Sequence, residues 1–204
     1  MPASAMSSVK TAAREQRVVH IPGGCTSGAN SAAAEPGAPL VPEWTKTNPD
    51  HGLCGWIAAC LAASQLGHPE AAEALASMAV ATPAEYGWLW LTKGPTAVGT
   101  RFATMKAAPA CFVKLGPPPP RGWSAFLLES ENDVLVARIG THNVCVAGGY
   151  LWDPDAPSAQ TITRALLERL VWQYGAVSLV VAVRNKYKGS QAVGKSGKKK
   201  QKVR

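Results

Sequence analysis

Apolar residues recur at helical spacing in one region of the chain. Residues 54–66 (CGWIAACLAASQL) place large apolar side chains three and four positions apart, which predicts a helix. Gly67 then predicts the end of that helix. Residues 69–80 predict a second helix, because proline opens the segment and acidic residues occupy its first turns. Residues 86–91, with two tryptophans, fit either a helix or a strand.

The second half of the chain changes to short β-like runs. Strands are predicted, in chain order, at 111–115, 134–139, 142–147, 150–153 and 176–183, with a helix at 162–172. Gly148-Gly149 predicts a two-residue hairpin turn between the third and fourth of these strands. Helices therefore come first, and antiparallel strands with a covering helix follow. This order predicts an α+β fold rather than an alternating α/β fold.

The composition divides the chain into three parts. Residues 1–43 are rich in Ala, Ser, Gly and Pro and show little periodicity, so we expect a flexible arm there. Residues 44–183 carry the predicted helices and strands, and a total of 204 residues suits one domain with tails. Residues 184–204 are rich in Gly, Ser, Gln and Lys and are predicted to be a disordered tail.

The positive charge of the chain is concentrated in that tail. Of 21 basic residues, nine lie in 184–204, where there is no acidic residue; the remainder has 12 basic and 13 acidic residues. Such a segment is expected to bind polyanions: RNA, DNA or an anionic membrane surface. A solubilising tail without a ligand is the alternative. The residues expected to contact nucleic acid are Lys195, Lys198, Lys199, Lys200, Lys202 and Arg204.

The cysteine count favours a reducing compartment, and the lengths of the apolar runs argue against a membrane span. The five cysteines are an odd number and no secretory signal is evident, which favours reduced thiols and a cytoplasmic location. The longest strongly apolar run, 175–183, is well short of the roughly 20 residues that cross a bilayer, so no membrane span is expected.

Cys54 is the candidate nucleophile. It lies in the first turn of the predicted helix, where unpaired backbone N–H groups and the positive end of the helix dipole favour the thiolate. A small buried side chain is the alternative role for this cysteine.

His142 and Asp153 are the candidate base and orienting acid. If Gly148-Gly149 forms a two-residue turn, Val144 lies opposite Asp153. His142 and Asp153 are then diagonal neighbours on one face, with Cα atoms about 7–8 Å apart. An imidazole held by a carboxylate is what nucleophilic catalysis needs. A purely structural His–Asp bond is the alternative, and Asp155 is a second choice for the acid.

The residues around Cys54 and His142 suggest two further roles, an oxyanion donor and a metal site. Asn48 stands six residues before Cys54, so its amide can donate into an oxyanion hole together with the backbone N–H of Cys54. A role as a turn residue is its alternative. A zinc site built from two cysteine and histidine pairs is the rival, but the spacings are not those of zinc fingers, and no metal or other cofactor is predicted. Those pairs are Cys54 with Cys60 and His142 with Cys145.

Taken together, these residues resemble the papain-like cysteine proteases. Within that group the chain is most similar to short viral leader proteases of the foot-and-mouth disease virus type, over about residues 44–183. The resemblance implies a papain-like fold and a Cys54–His142 dyad oriented by Asp153, with Asn48 as oxyanion donor. It also implies a polypeptide substrate, with cleavage of its own polyprotein or of host proteins in the host cytoplasm. A deubiquitinase of similar fold is an alternative.

A second resemblance is one of composition alone. Basic chains enriched in Pro, Ala and Ser are similar to the RNA-coating proteins of capsidless fungal double-stranded RNA viruses. That resemblance implies RNA as the partner of the tail, and it is compatible with an inactive papain-like core.

Overall fold

The computed structural model describes residues 36–46, 52–104 and 110–185. The helices are α1 (Cys54–Gln65), α2 (Pro69–Ala81), α3 (Pro83–Tyr86), α4 (Leu89–Thr104), α5 (Gly122–Glu129) and α6 (Arg164–Tyr174). The strands are β1 (Ala110–Lys114), β2 (Leu135–Ile139), β3 (His142–Ala147), β4 (Tyr150–Trp152), β5 (Gln160–Thr161) and β6 (Val177–Asn185). Among the described helices, none is long and apolar enough to cross a bilayer.

One antiparallel sheet lies between two helical layers. Its strand order is β1-β6-β2-β3-β4-β5. One face packs against α1, α2 and α4, and the other face packs against α5 and α6. Helices on both faces of an antiparallel sheet confirm the predicted α+β class.

Helix α1 is the central helix of the first layer. Ten of its twelve residues are buried, so it has no solvent-facing stripe. Its many alanines allow α2, α4 and strand β3 to approach it from different sides. The first residue of α1 is Cys54, and it is buried with the rest of the first turn.

Some elements differ from the predicted ones. The ambiguous stretch 86–91 spans the end of α3 and the start of α4, and α4 is interrupted at Gly94, whose φ is +76°. Helix α5 was not predicted; it is short, and it packs Trp123 and Leu127 against the sheet. Strand β5, only two residues long, was also missed.

The ends of the domain differ in detail from the predicted boundaries. Leu40 forms a β-bridge with Ser158, and Val41 is buried in the core, although both were assigned to the arm. At the other end, β6 continues through Asn185. Arg184, assigned to the tail, pairs with the carboxylate of Asp133 at 2.8 Å.

Candidate active site

The β3–β4 hairpin places two of the predicted site residues. Gly148 and Gly149 form its turn with φ values of +60° and +77°, a left-handed conformation that glycine adopts without strain. Cys145 pairs with Trp152, and Val146 pairs with Leu151. This is the predicted register, and it is confirmed.

His142 and Asp153 meet as that register requires. Asp153 directly follows β4, and its Oδ1 lies 2.9 Å from Nε2 of His142. The imidazole is fully buried, and the Asp153 side chain is 10% exposed. The backbone N–H of Asp155 donates to the same Oδ1 at 2.9 Å and fixes the carboxylate from the other side. Asp153, rather than the alternative Asp155, is therefore the acid that holds the imidazole.

Cys54 reaches this pair from the opposite element. Helix α1 packs against β3, so its first residue lies beside the start of that strand. The Cys54 side chain lies close enough to His142 to contribute to the raised pKa of the imidazole. Because Nε2 of the imidazole is engaged by Asp153, the nitrogen left for the sulfur is Nδ1, which is buried and has no hydrogen-bond partner among the described residues. The fold thus brings Cys54, His142 and Asp153 together.

The charges of His142 and Asp153 determine the protonation states of both side chains. Burial lowers the pKa of His142, but the charge and hydrogen bond of Asp153, with a smaller contribution from Cys54, raise it to about 10. Burial raises the pKa of Asp153, yet the imidazole, the Asp155 N–H and the Lys46 charge together lower it below its ordinary value. At neutral pH the site therefore holds an imidazolium beside a carboxylate.

The ring of His142 is also held by packing. The ring of Tyr174, the last residue of α6, stacks on it with centroids 4.6 Å apart and planes 25° apart. The imidazole therefore lies in the core, where it is held by stacking as well as by its hydrogen bond to Asp153. Such a ring has little rotational freedom, which keeps Nδ1 directed away from Asp153.

Two glycines beside Cys54 allow tryptophans to approach closely. A Cβ at Gly52 would collide with the ring of Trp88, and a Cβ at Gly55 would collide with the side chain of Trp90. Trp88 itself has a φ of +60°, rare for a bulky residue, and its N–H donates to the Gly52 carbonyl at 3.0 Å. Gly52 and Gly55, which lie on either side of Cys54, are thus tightly packed against Trp88 and Trp90.

The remaining predicted residues divide into two groups. Asn48, as well as the six basic residues assigned to nucleic acid, lies outside the described residues, so their predicted roles stay predictions. Cys60 and Cys145 are fully buried, and burial raises the pKa of both thiols, which makes them poor metal ligands. The donor atoms of His142, Asp153 and Asp155 lie within 4.8 Å of one another, but the imidazolium of His142 has no lone pair to offer a metal ion.

Sequence reasoning missed Asn143. Its Nδ2 donates to the Sγ of Cys54 at 3.3 Å, and the residue is fully buried. The available signal was a polar amide at a strand position whose neighbours, except His142, are apolar.

Comparison with known proteins gives no guide to this arrangement. The chain matches no family model, no curated protein and no solved structure.

Proposed function

We propose that this chain is a viral-type, papain-like thiol protease that cleaves peptide bonds, processing its own polyprotein or cutting host proteins. The observation that carries the proposal is that Asp153 holds the His142 imidazole at 2.9 Å while Cys54, at the start of α1, lies close enough to affect the pKa of that imidazole. A thiol at a helix start, an imidazole and an orienting acid form the minimal set for nucleophilic acyl transfer.

In the acylation step the Cys54 thiolate attacks the substrate carbonyl carbon. The sulfur–carbon bond forms, and the carbonyl electron pair moves to oxygen. When the tetrahedral intermediate collapses, the carbon–nitrogen bond breaks, and the leaving amine takes a proton from His142. The backbone N–H of Cys54, with the amide of Asn48, is assigned to the oxyanion.

In the deacylation step a water molecule attacks the thioester. His142, now neutral, accepts the proton of that water, and the second intermediate expels the Cys54 thiolate and the carboxylic acid product. Asp153 keeps its hydrogen bond to Nε2 throughout, so that the ring presents Nδ1 to the reacting groups. The raised pKa of His142 favours the imidazolium that acylation needs.

Self-release of a fused reporter tests the proposal. A reporter is placed after Arg204 and the fusion is translated in vitro as wild type, Cys54→Ala and Cys60→Ala. Cys60 is a buried cysteine of the same helix, so its variant is the matched control. We expect release by wild type and Cys60→Ala but not by Cys54→Ala. Absence of release in every fusion, together with no cleavage of added unfolded polypeptides, would refute the protease.

RNA binding by the basic tail is the second candidate function. The observation that favours it is the charge distribution: eight basic and no acidic residues follow Asn185, the last residue of β6. Phosphate contacts by such a segment are electrostatic and insensitive to sequence. This role is compatible with a protease domain, and it would stand alone if Cys54 proved inert.

A further inference from the structure

Asn143 carries an unusual hydrogen bond in the core. Its Nδ2 donates to Cys54 Sγ at 3.3 Å, while its Oδ1 is buried and has no hydrogen-bond partner in the described part of the chain. The next residues on the same face of β3, Cys145 and Ala147, pack in the apolar cluster around α1. The amide thus lies in an apolar layer, where its nitrogen is hydrogen-bonded to the Cys54 sulfur and its oxygen accepts no hydrogen bond from the described residues.

Stability alone does not account for an amide at this position. A buried carbonyl oxygen without a donor costs free energy, whereas an apolar side chain of similar size would fill the same space without that penalty. Within residues 36–46, 52–104 and 110–185, the interaction that the amide gains in exchange is its hydrogen bond to Sγ. The role of Asn143 should therefore lie in the chemistry of the thiol.

We propose that Asn143 is a catalytic residue whose side-chain N–H stabilises the Cys54 thiolate. This role rests on the proposed function, in which Cys54 is the nucleophile. The sulfur then accepts a hydrogen bond from the Asn143 amide, and the positive charge of the nearby His142 imidazolium favours the thiolate as well. Hydrogen bonds to a charged acceptor are about twice as strong as those to a neutral one, so the amide favours the thiolate over the thiol.

The hydrogen bond acts twice in the reaction. In acylation the negative charge leaves the sulfur for the carbonyl oxygen, so the bond weakens as the sulfur–carbon bond forms. In deacylation the sulfur–carbon bond breaks, and the electron pair returns to the sulfur. The Asn143 N–H stabilises that departing thiolate, which makes the sulfur a better leaving group.

The test measures the thiol directly rather than peptidase activity. The rate of Cys54 alkylation by iodoacetamide is followed from pH 4 to pH 10 by peptide mass mapping. The variants are Asn143→Leu, which removes the donor, and Asn143→Asp, which replaces it with a carboxylate. Asn132→Leu, at an exposed position, is the matched control. Circular dichroism establishes which variants are folded; if Asn143→Leu does not fold, an unchanged midpoint in Asn143→Asp would overturn the proposal instead.

We expect the alkylation midpoint of Asn143→Leu to rise by about one pH unit, a tenfold change in the thiolate equilibrium, as for loss of a charge-assisted hydrogen bond. Asn143→Asp should raise it further, because a carboxylate repels the thiolate, and Asn132→Leu should not change it. An unchanged or lowered midpoint in Asn143→Leu would overturn the proposal. A raised midpoint without peptidase activity in the wild type would sustain this role while refuting the protease.

Discussion

Replacing Asp153 with asparagine removes the negative charge beside His142 and little else. An asparagine oxygen at the same place still accepts a hydrogen bond from Nε2, so the 2.9 Å contact can persist. What disappears is the attraction between carboxylate and imidazolium. The variant therefore isolates the electrostatic part of the interaction.

The magnitude follows from the pKa of His142. The rise from 6.5 to about 10 corresponds to about 5 kcal/mol in favour of the imidazolium in the folded state. Cys54 supplies a minor part of this free energy. In the variant the buried ring can also release its proton, so it does not remain buried as an uncompensated charge, and the loss is smaller than the full value of about 5 kcal/mol. We therefore expect Asp153→Asn to lose about 3 kcal/mol of unfolding free energy near pH 6, the lower end of the range for a broken buried pair.

The loss of unfolding free energy in Asp153→Asn should become smaller both as the pH rises and as the pH falls from an intermediate range. The pKa of His142 is raised on folding, so its contribution is complete below pH 6.5 and is lost as the pH rises toward 10. The pKa of Asp153 is lowered, so its contribution is present above its ordinary value of 3.8 and is lost as the pH falls below that. The difference between wild type and variant should be largest between about pH 4 and pH 6.5.

Urea unfolding of both proteins at pH 5.5, 7.5 and 9.5 measures this difference, and imidazole NMR reports the protonation of His142. Asp155→Asn is the control, because burial and the Asp153 charge raise the pKa of Asp155, so that its ionised form does not stabilise the fold. That variant should be as stable as wild type or more so at neutral pH. A pH-independent loss in Asp153→Asn, or a wild-type His142 that titrates near 6.5, would refute the reasoning.

Two further predictions concern packing and the tail. Gly55→Ala should lower the free energy of unfolding in urea by about 1–3 kcal/mol, since the new methyl collides with Trp90. Gly116→Ala, with open space around it, is the control and should cost little. Equal costs would contradict the close packing of Trp90 against Gly55. Truncation after Asn185 removes eight basic residues and should abolish the salt-dependent part of RNA affinity in filter binding while leaving the melting temperature unchanged. Equal RNA affinity and salt dependence for the truncated chain would place RNA binding elsewhere.

Local patterns in the sequence predicted much of the fold and the central pair of the site. Helix α1 begins at the predicted residue, and β3 has the predicted bounds. The two-glycine turn was sufficient to set the register that brings His142 to Asp153. These features depend on side-chain periodicity and turn length, which a sequence displays directly.

Features that depend on packing between distant segments were not predicted. The stacking of Tyr174 on His142, and the approach of Trp90 to Gly55, join residues more than 30 positions apart. Asn143 contacts Cys54 across 89 positions. Periodicity assigns a residue to a face of its own element, but it does not say which residue of another element that face meets.

The length of one turn has a chemical consequence. Gly148 and Gly149 hold β3 and β4 in a register that puts the carboxylate on the same face as the imidazole. A single residue inserted after Gly149 would turn every side chain of β4 to the opposite face and carry Asp153 away from His142, although the hairpin could still form. Two inserted residues would restore the face but displace the acid along the strand. Whether the β3–β4 turn has an even or an odd number of residues therefore decides whether the imidazole of His142 is paired with a carboxylate.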